Sequence, residues 1–492
     1  GKYRFLKILK QEPLKIKYLD LVGTSFIPRR TERCNGIVQA TVRGQSRRFI
    51  GDWPADNFVR WAQCLGFIKY NYYDDTFEIT SQGYKWTSSK SLEERQEILE
   101  EAIISYPPAA RILRLLATGN IMTKFELGQK LGFIGEDGFT SVPQEVFIMT
   151  LATTEDPKER NILKANTEGS SDKYARMIAK WLTKLNLLKQ VTKEIVVNIG
   201  KNEYKEEIAQ SYMITTKGLK VLNKINGKSK FARISKNVSW EMMATKGNDR
   251  NYIRTRRSLI IKILVEGNNG LTIEEIRKKL ENNSISELYT VIKDDIQGLI
   301  NIGLNIEYQN EKYYLNDKIH DFVIPIIDNN EKCEFTIEKD ELREKLDALS
   351  HEYLSLVDLA YDSRQNRLFE MKTIDLLINE CNYRGVHLGG SRKPDGIIYT
   401  ENEEENYGVI IDTKAYSNGY NLPISQVDEM VRYVEENNKR EKERNSNEWW
   451  KEFGDNINKF YFSFISGKFI GNIEEKLQRI TIFTNVYGNA MT

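Results

Sequence analysis

Two short motifs in the last third of the chain contain the residue types that could hold a divalent cation. The first is Lys393-Pro-Asp-Gly396. The second, Asp412-Thr-Lys414, ends an apolar run that predicts a buried strand. Alternate side chains of a strand share a face, so we expect Asp412 and Lys414 to point the same way while Thr413 turns aside. The spacing from Asp395 to Asp412 fits a strand–turn–strand hairpin that brings the two carboxylates together.

Two carboxylates with water are suitable oxygen ligands for Mg²⁺, and phosphodiester hydrolysis uses such a site. Lys414 could orient the attacking water and stabilise the charge that develops on the phosphate. We expect Glu370, on a helix over residues 367–379, to add a polar partner through water, and we interpret His387 as a structural neighbour. The alternative is a structural ion pair, but charged side chains are costly at the end of a buried strand unless they pair or bind a metal.

The elements around these motifs predict an α/β domain over residues 333–492. Helical spacing of apolar residues covers 338–346 and 353–360, and apolar runs predict strands at 396–400, 408–412 and 460–465. Residues 317–332, before this domain, are rich in Asp and Asn around Pro325 and lack helical spacing. We interpret that stretch as a linker.

The chain before the linker repeats one local pattern three times, a helix followed by a pair of strands. The helical parts are 58–68, 174–185 and 288–302, and two of the strand pairs end in Ile-Thr-x-x-Gly. Helix, turn, helix and hairpin is the order of a winged helix, which binds DNA in many proteins and serves as a protein contact or scaffold in others. We therefore predict a multidomain α+β protein. Its tandem winged-helix-like recognition subdomains would lie at 1–91, 92–233 and 234–316, the third a scaffold, and an α/β nuclease domain would follow them.

The distribution of charged residues and the spacing of the cysteines limit the classes of protein to which the chain can belong. The chain has 72 Lys and Arg against 70 Asp and Glu, yet residues 1–60 hold 13 basic and 5 acidic residues. Such a stretch is either a solvated basic face or part of a nucleic-acid footprint. The four cysteines are far apart, which argues against a structural zinc site. We find no apolar run long enough to span a bilayer and expect a cytoplasmic protein. Because the chain opens at Gly1, we expect the gene product to begin upstream.

Longer blocks of the sequence resemble the family of type IIS restriction endonucleases that FokI represents. In the C-terminal domain the matching blocks are Ser391–Gly396, Tyr407–Ser417, Gly419–Ile424, Asp428–Met430, Arg432–Asn437 and Asn447–Lys451. Earlier blocks are Arg60–Ala62, Leu65–Ile68, Ser105–Pro108, Gly169–Ile178 and Tyr252–Arg257. The resemblance covers nearly the whole chain. The family also has an N-terminal arm and a C-terminal tail beyond the region matched here.

The resemblance implies a Mg²⁺-dependent enzyme that binds a short asymmetric duplex DNA site and cuts both strands at a fixed distance outside it. A PD-(D/E)xK cleavage domain would use Asp395 and Asp412 as metal ligands and Lys414 as the catalytic lysine. Asp428 and Arg432 match the family's dimer-interface pair, which implies a transient homodimer through the cleavage domain. From the residues alone, an ion pair within one helix is the alternative. The family also implies a cognate DNA methyltransferase that protects the host.

Six residues match family positions that contact DNA: Arg29, Gln45, Trp53, Glu168, Lys173 and Arg176. Arginine can bind guanine through two hydrogen bonds, glutamate can accept from cytosine N4, and lysine can serve a guanine or a phosphate. The loop over 42–48 is shorter and more basic than the family pattern, and Ala165 stands where the family has an asparagine. GGATG, the site of the best-known members, is the candidate site. The alternatives are a strand-specific nicking enzyme and a non-cutting winged-helix DNA-binding protein.

Overall fold

The structure is a computed structural model that describes residues 2–11, 16–17, 52–199, 202–228, 234–327, 331–346, 348–402 and 406–492. Two of the expected DNA-contacting residues, Arg29 and Gln45, lie outside these ranges, and so does the side chain of Trp53, whose backbone lies in the first turn of a helix. The described ranges form a multidomain α+β protein, as the sequence predicted. Within them, no helix combines the length and the apolar character needed to cross a membrane.

The first subdomain packs a small sheet against helices. Its elements are α1 (Lys2–Leu9), β1 (Ile16–Lys17), α2 (Asp52–Cys64), β2 (Ile68–Asn71), β3 (Thr76–Ile79) and α3 (Ser81–Ser88). The strands pair antiparallel in the order β1-β3-β2, with Ile68 opposite Ile79. The helix and hairpin of the first predicted repeat are therefore both present.

The repeated Ile-Thr-x-x-Gly motif is a helix start that packs against the end of the preceding helical segment. The Thr80 N–H donates to the Phe67 carbonyl oxygen at 3.0 Å, and Thr80 Oγ1 caps α3 by accepting from the Gly83 N–H at 3.1 Å. A Cβ on Gly83 would lie 2.2 Å from the Phe67 carbonyl oxygen, so a residue with a side chain does not fit there. The second copy of the motif repeats this geometry at residues 215–218.

The second subdomain carries a long hairpin. Its elements are α4 (Leu92–Ser105), α5 (Pro107–Leu115), β4 (Met122–Thr123), α6 (Lys124–Gln129), α7 (Gln144–Ala152), α8 (Pro157–Asn166), α9 (Ser170–Lys184), β5 (Leu188–Ile199), β6 (Asn202–Ile214) and α10 (Thr216–Ile225). The strands pair antiparallel in the order β4-β6-β5. One buried apolar core, with members from Phe5 to Ile225, joins the first and second subdomains.

The third subdomain has the order expected of a winged helix. Its elements are α11 (Arg250–Glu266), α12 (Ile273–Glu281), α13 (Tyr289–Asn301), β7 (Ile306–Gln309) and β8 (Lys312–Leu315). Thr272 caps α12, since Thr272 Oγ1 accepts from the Glu275 N–H while Glu275 accepts from the Thr272 N–H. After β8, residues 316–327 form neither a helix nor a named strand.

The C-terminal domain is built on a five-stranded mixed sheet. Its elements are α14 (Glu334–Lys345), α15 (Ser355–Leu359), α16 (Asn366–Asn379), β9 (Arg384–His387), β10 (Gly396–Glu401), β11 (Asn406–Lys414), α17 (Ile424–Lys439), β12 (Phe460–Ser466), α18 (Ile473–Thr484) and β13 (Gly488–Met491). The strand order is β13-β12-β11-β10-β9. The three predicted strands are the central ones. β9, β10 and β11 pair antiparallel, and β12 and β13 continue the sheet in parallel.

The C-terminal domain and the second subdomain share apolar packing. One buried cluster contains Phe147 and Leu151 of α7 together with Phe369 and Met371 of α16. Ile199, at the end of the long β5 strand, is buried in the core cluster of the C-terminal domain. Because these side chains are buried by contact between the two domains, separating the domains would expose apolar surface to water.

Candidate active site and DNA-contacting residues

Asp395 and Asp412 meet at the end of the central hairpin. In the β10–β11 pairing Gly396 lies opposite Ile411, so the residue before Gly396 is next to the residue after Ile411. Thr413 holds Asp395, because the Thr413 N–H and hydroxyl donate to Asp395 Oδ2 at 2.7 and 3.1 Å. The predicted hairpin is present, but the expectation that Thr413 turns aside was wrong, since its hydroxyl binds the neighbouring carboxylate.

Lys414 contacts both carboxylates. Its Nζ lies 2.8 Å from Asp412 Oδ1 and 3.7 Å from Asp395 Oδ2. The alternation of side chains along β11 puts Lys414 on the same face as Asp412, as expected. The Asp412 side chain is 10% exposed and the Lys414 side chain 20% exposed, so the three groups interact mostly shielded from water.

The site has more negative charge than Lys414 balances. Burial, and then the adjacent Asp395 carboxyl, raise the pKa of Asp412 to about 8, although Lys414 opposes the rise. Burial also raises the pKa of Asp395, and the nearby Glu370 acts in the same direction. Burial would lower the pKa of Lys414, but the two carboxylates outweigh it and raise the pKa above its usual value. The two acids therefore compete for one ammonium group.

A divalent cation fits this excess of negative charge. In the described part of the chain, no group of three or more His, Cys, Asp or Glu side chains is arranged to hold a metal, so the protein would offer the two aspartates. Mg²⁺ is commonly bound by one or two carboxylates, with water and substrate phosphate completing its shell. Burial is the main cause of both raised pKa values and the neighbouring acids add to it, so a cation between Asp395 and Asp412 would favour their ionised forms.

A buried histidine connects Glu370 to the second subdomain. His387, the last residue of β9, has no exposed surface. Its Nε2 lies 3.3 Å from Glu370 Oε2, and its Nδ1 lies 2.9 Å from Thr150 Oγ1 on α7. Burial would raise the pKa of Glu370, but His387, Arg367 and Lys414 lower it below its usual value. The sequence analysis missed the contact of His387 with another domain.

Glu168 and Arg176 form an ion pair beside α9. Arg176 Nε and Nη2 donate to Glu168 Oε1 and Oε2 at 2.7 and 2.9 Å, and Lys124 Nζ donates to Glu168 Oε1 at 2.7 Å. Burial would raise the pKa of Glu168, but these two cations lower it below its usual value. Lys173, on the same helix, is exposed. The sequence analysis missed Lys124, which is 44 positions from Glu168.

Asp428 and Arg432 both lie on α17, but each forms an ion pair with another residue. Asp428 Oδ1 is 3.6 Å from Arg479 on α18, and Arg432 Nη2 is 2.9 Å from Glu429 Oε1. The Asp428 side chain is 60% exposed and the Arg432 side chain 42% exposed. Both side chains are accessible from solvent, and their role in an interface stays a prediction.

Comparisons with known proteins cover all four parts of the chain. The matching families are described as "FokI, recognition domain, subdomain 1" at residues 1–89, "FokI, recognition domain, subdomain 2" at 95–230, "FokI, D3 domain" at 243–311 and "FokI, cleavage domain" at 332–492. The last of these contains Asp395, Asp412 and Lys414.

Two curated relatives match over almost the full chain. It is 47% identical to the type II restriction enzyme FokI of Planomicrobium okeanokoites, across 99% of this chain and 85% of that protein. It is 35% identical to the type II restriction enzyme StsI of Streptococcus sanguinis, across 100% of this chain and 83% of that protein.

Solved structures agree with this relationship. The structure of restriction endonuclease FokI matches with a TM-score of 0.91 at 47% identity, and the structure of FokI bound to DNA matches with 0.91 at 46% identity. Each match covers 99% of this chain and 85% of the other. These matches define the class of protein, a type II restriction endonuclease of the type IIS subclass. The chain belongs to the FokI family.

Proposed function

We propose that this enzyme binds a short asymmetric duplex DNA site and, with Mg²⁺, hydrolyses both strands at a fixed distance outside it. The observation that carries the proposal is the convergence of Asp395, Asp412 and Lys414, in which two buried acids share one ammonium group. Burial and then the adjacent Asp395 carboxyl raise the pKa of Asp412 to about 8 in spite of Lys414, and a divalent cation would supply the positive charge that favours both carboxylates.

In the proposed reaction, Asp395 and Asp412 hold the cation. When bound, Mg²⁺ neutralises the scissile phosphate and makes a nearby water more acidic. Lys414 orients that water and stabilises the negative charge that builds on the phosphate, and Thr413 keeps Asp395 fixed through two hydrogen bonds. Because the pKa of Asp412 is raised to about 8, cation binding near neutral pH releases a proton.

The recognition subdomains would supply specificity through Arg29, Gln45, Trp53, Glu168, Lys173 and Arg176, with GGATG as the proposed site. A carboxylate has about four lone-pair positions, and Arg176 and Lys124 together fill three of those on Glu168. One position is then left for another donor, such as cytosine N4. The exposed ammonium of Lys173 suits a guanine or a phosphate.

Cutting both strands requires a second cleavage domain, because each domain offers one such site. We propose a transient homodimer in which Asp428 and Arg432 lie at the interface, consistent with their exposure on α17. A cognate DNA methyltransferase would protect the host's own sites, and the cytoplasm would be the working compartment. Before DNA binds, the contact of α7 with the cleavage domain would restrain the nuclease.

Plasmid cleavage tests this proposal. A supercoiled plasmid with one GGATG site is incubated with the enzyme and Mg²⁺, the ends of the product are sequenced, and a plasmid without the site is the control. We expect a double-strand break at a constant distance on one side of the site. A single nick would instead support a strand-specific nicking enzyme, and a bound but uncut plasmid would support a non-cutting DNA-binding protein.

A further inference from the structure

The C-terminal end of α7 and the two residues after it pack closely against the segment that leads to Asp395. The Gly389 N–H donates to Thr153 Oγ1 at 3.3 Å, and Lys393 Nζ donates to the Thr153 carbonyl oxygen. A Cβ on Gly389 would lie 2.1 Å from Thr154 Oγ1 and 2.9 Å from Thr150 Cγ2. The absence of a side chain at Gly389 therefore lets the end of α7 and the residues after it approach the buried end of β9.

Thr150 Oγ1 is held by its own helix. Thr150 is fully buried, and its Oγ1 lies 2.8 Å from the Val146 carbonyl oxygen, one turn earlier on α7. The same oxygen lies 2.9 Å from His387 Nδ1. Because the helix sets the position of Oγ1, this contact fixes the orientation of the His387 ring for as long as the two domains stay together.

The other side of the His387 ring faces the acidic cluster. A carboxylate oxygen accepts, so the 3.3 Å contact is a hydrogen bond from the His387 Nε2–H to Glu370 Oε2. This hydrogen bond offsets part of the negative charge of Glu370. Glu370 is in turn close enough to Asp395 to act on it electrostatically. Polar contacts therefore run from Thr150 through His387 to Glu370, and the charge of Glu370 in turn acts on Asp395.

We propose that Thr150 is a positioning residue that acts through His387 on Glu370, so that docking of the cleavage domain weakens binding of the divalent cation at Asp395 and Asp412. This rests on the proposed function, since it concerns regulation of that same site. When the domains separate, His387 Nδ1 loses its partner and the ring is free to turn. Glu370 then loses its oriented donor, and its uncompensated charge strengthens the attraction of the cluster for a cation.

Titration of the 492-residue chain with Mn²⁺ in the absence of DNA tests this inference, with free Mn²⁺ measured by electron paramagnetic resonance. Thr150→Val keeps the shape of the side chain but removes the hydroxyl, and we expect it to bind Mn²⁺ roughly 3- to 10-fold more tightly than wild type. Thr150→Ser keeps the hydroxyl and should restore an affinity within about two-fold of wild type.

Two controls distinguish an effect that acts through His387 and Glu370 from a general weakening of the contact between the two domains. Thr153→Ala removes the acceptor of the Gly389 N–H but leaves the His387 contact, so its Mn²⁺ affinity should equal that of wild type. In a Glu370→Gln background, Thr150→Val should have no effect, because the charge through which Thr150 acts is gone. Equal tightening by Thr153→Ala, or an effect that persists in Glu370→Gln, would overturn the inference.

The test also distinguishes this inference from the proposed function. Mn²⁺ binding by wild type that is lost in Asp412→Ala supports the cation site. If wild type binds no Mn²⁺ without DNA, the inference is overturned, and the plasmid assay decides the proposed function separately. If binding survives Asp412→Ala, the cation site at Asp395 and Asp412 is overturned together with the inference. If binding depends on Asp412 but wild type and Thr150→Val have the same affinity, only the inference is overturned.

Discussion

Two buried aspartates in this enzyme show opposite electrostatics. Asp295, in the third subdomain, accepts from Arg256 Nε and Arg257 Nε, each at 2.6 Å. Burial would raise the pKa of Asp295, but the two arginines outweigh it and lower the pKa below its usual value. Asp412, in the cleavage domain, shares Lys414 with a second acid, and its pKa rises to about 8.

The opposite pKa shifts of Asp295 and Asp412 distinguish a buried carboxylate that stabilises the fold from one that belongs to a catalytic site. In the third subdomain, Arg256 also donates to Glu287 at 2.7 Å, so acids and cations balance within the protein. In the cleavage domain, the acids outnumber the cation beside them, which costs folding free energy and leaves a place for a divalent ion. Burial alone therefore does not mark a catalytic acid. The balance of neighbouring charge does.

The largest expected effect is on cleavage. Asp412→Ala should lower the rate of plasmid cleavage by about 10³-fold or more, because both the cation site and the partner of Lys414 are damaged. Binding to DNA that carries the site should stay close to wild type in a gel-shift assay. Glu380→Ala, which removes an exposed carboxylate of the same domain, is the matched control. Cleavage at the wild-type rate by Asp412→Ala would show that the assignment is wrong.

The second effect is on stability and concerns the buried ion pairs of Asp295 with Arg256 and Arg257. Asp295→Asn leaves Arg256 and Arg257 with less compensation and should lower the free energy of unfolding by about 3–5 kcal/mol, measured by urea denaturation. Asp321→Asn breaks an exposed ion pair with Lys262 and should change stability by no more than about 0.5 kcal/mol. If both variants lowered the free energy of unfolding by a similar small amount, the buried ion pairs of Asp295 would not be the stabilising contacts that we describe.

The third effect is a gain in the free energy of unfolding, where the second is a loss. The folded state raises the pKa of Asp412 from 3.8 to about 8, so the folded protein holds that proton more tightly than the unfolded chain does. The stability of wild type without metal should therefore fall as pH rises from about 4 to about 8. Asp412→Asn cannot ionise there and should be more stable than wild type by about 2 kcal/mol at pH 8.

Thermal unfolding at pH 5 and pH 8, with and without Mg²⁺, checks this third prediction. The gain from Asp412→Asn should be smaller at pH 5. It should also shrink when Mg²⁺ is added, because the cation stabilises wild type and binds the variant poorly. A variant less stable than wild type at pH 8 without metal would contradict a shortage of positive charge at the site.

The smallest effect concerns an exposed charge. Asp428→Ala should leave stability unchanged within about 0.5 kcal/mol, because its ion pair with Arg479 is solvent-exposed. We nevertheless expect double-strand cleavage to slow several-fold at low enzyme concentration and to recover at high concentration, as loss of a dimer contact requires. Glu474→Ala, an exposed acid on α18, is the control. Unchanged dependence on enzyme concentration would remove Asp428 from the proposed interface.

Local sequence patterns predicted much of the cleavage site. The apolar run before Asp412, and its spacing from Asp395, indicated the β10–β11 hairpin, which has that form. The same patterns predicted the helix and hairpin of each recognition subdomain. The same reasoning could have predicted that Thr413 lies near Asp395, because Thr413 is next to Asp412 on the strand. Its hydroxyl bond depends on a side-chain rotamer that alternation along a strand does not specify.

Other parts of the site depend on residues that are remote in sequence. Lys124 contacts Glu168 across 44 positions, and Thr150 contacts His387 across 237 positions. No periodicity links such pairs, because they meet through the packing of separate elements. The ion pairs of Asp428 and Arg432 likewise depend on how α18 packs beside α17 and on which rotamers the side chains take.

The amino-acid sequence by itself determined the three central strands of the cleavage domain and the helix and hairpin of each recognition subdomain, and it placed two acids and a lysine at the end of one hairpin. It could do so because hydrogen bonding and side-chain periodicity act over a few residues. The tertiary structure alone decided that the two acids share one ammonium group and that His387 lies against Thr150. Burial and Coulomb interactions depend on distance in space, and only the packed fold sets that distance.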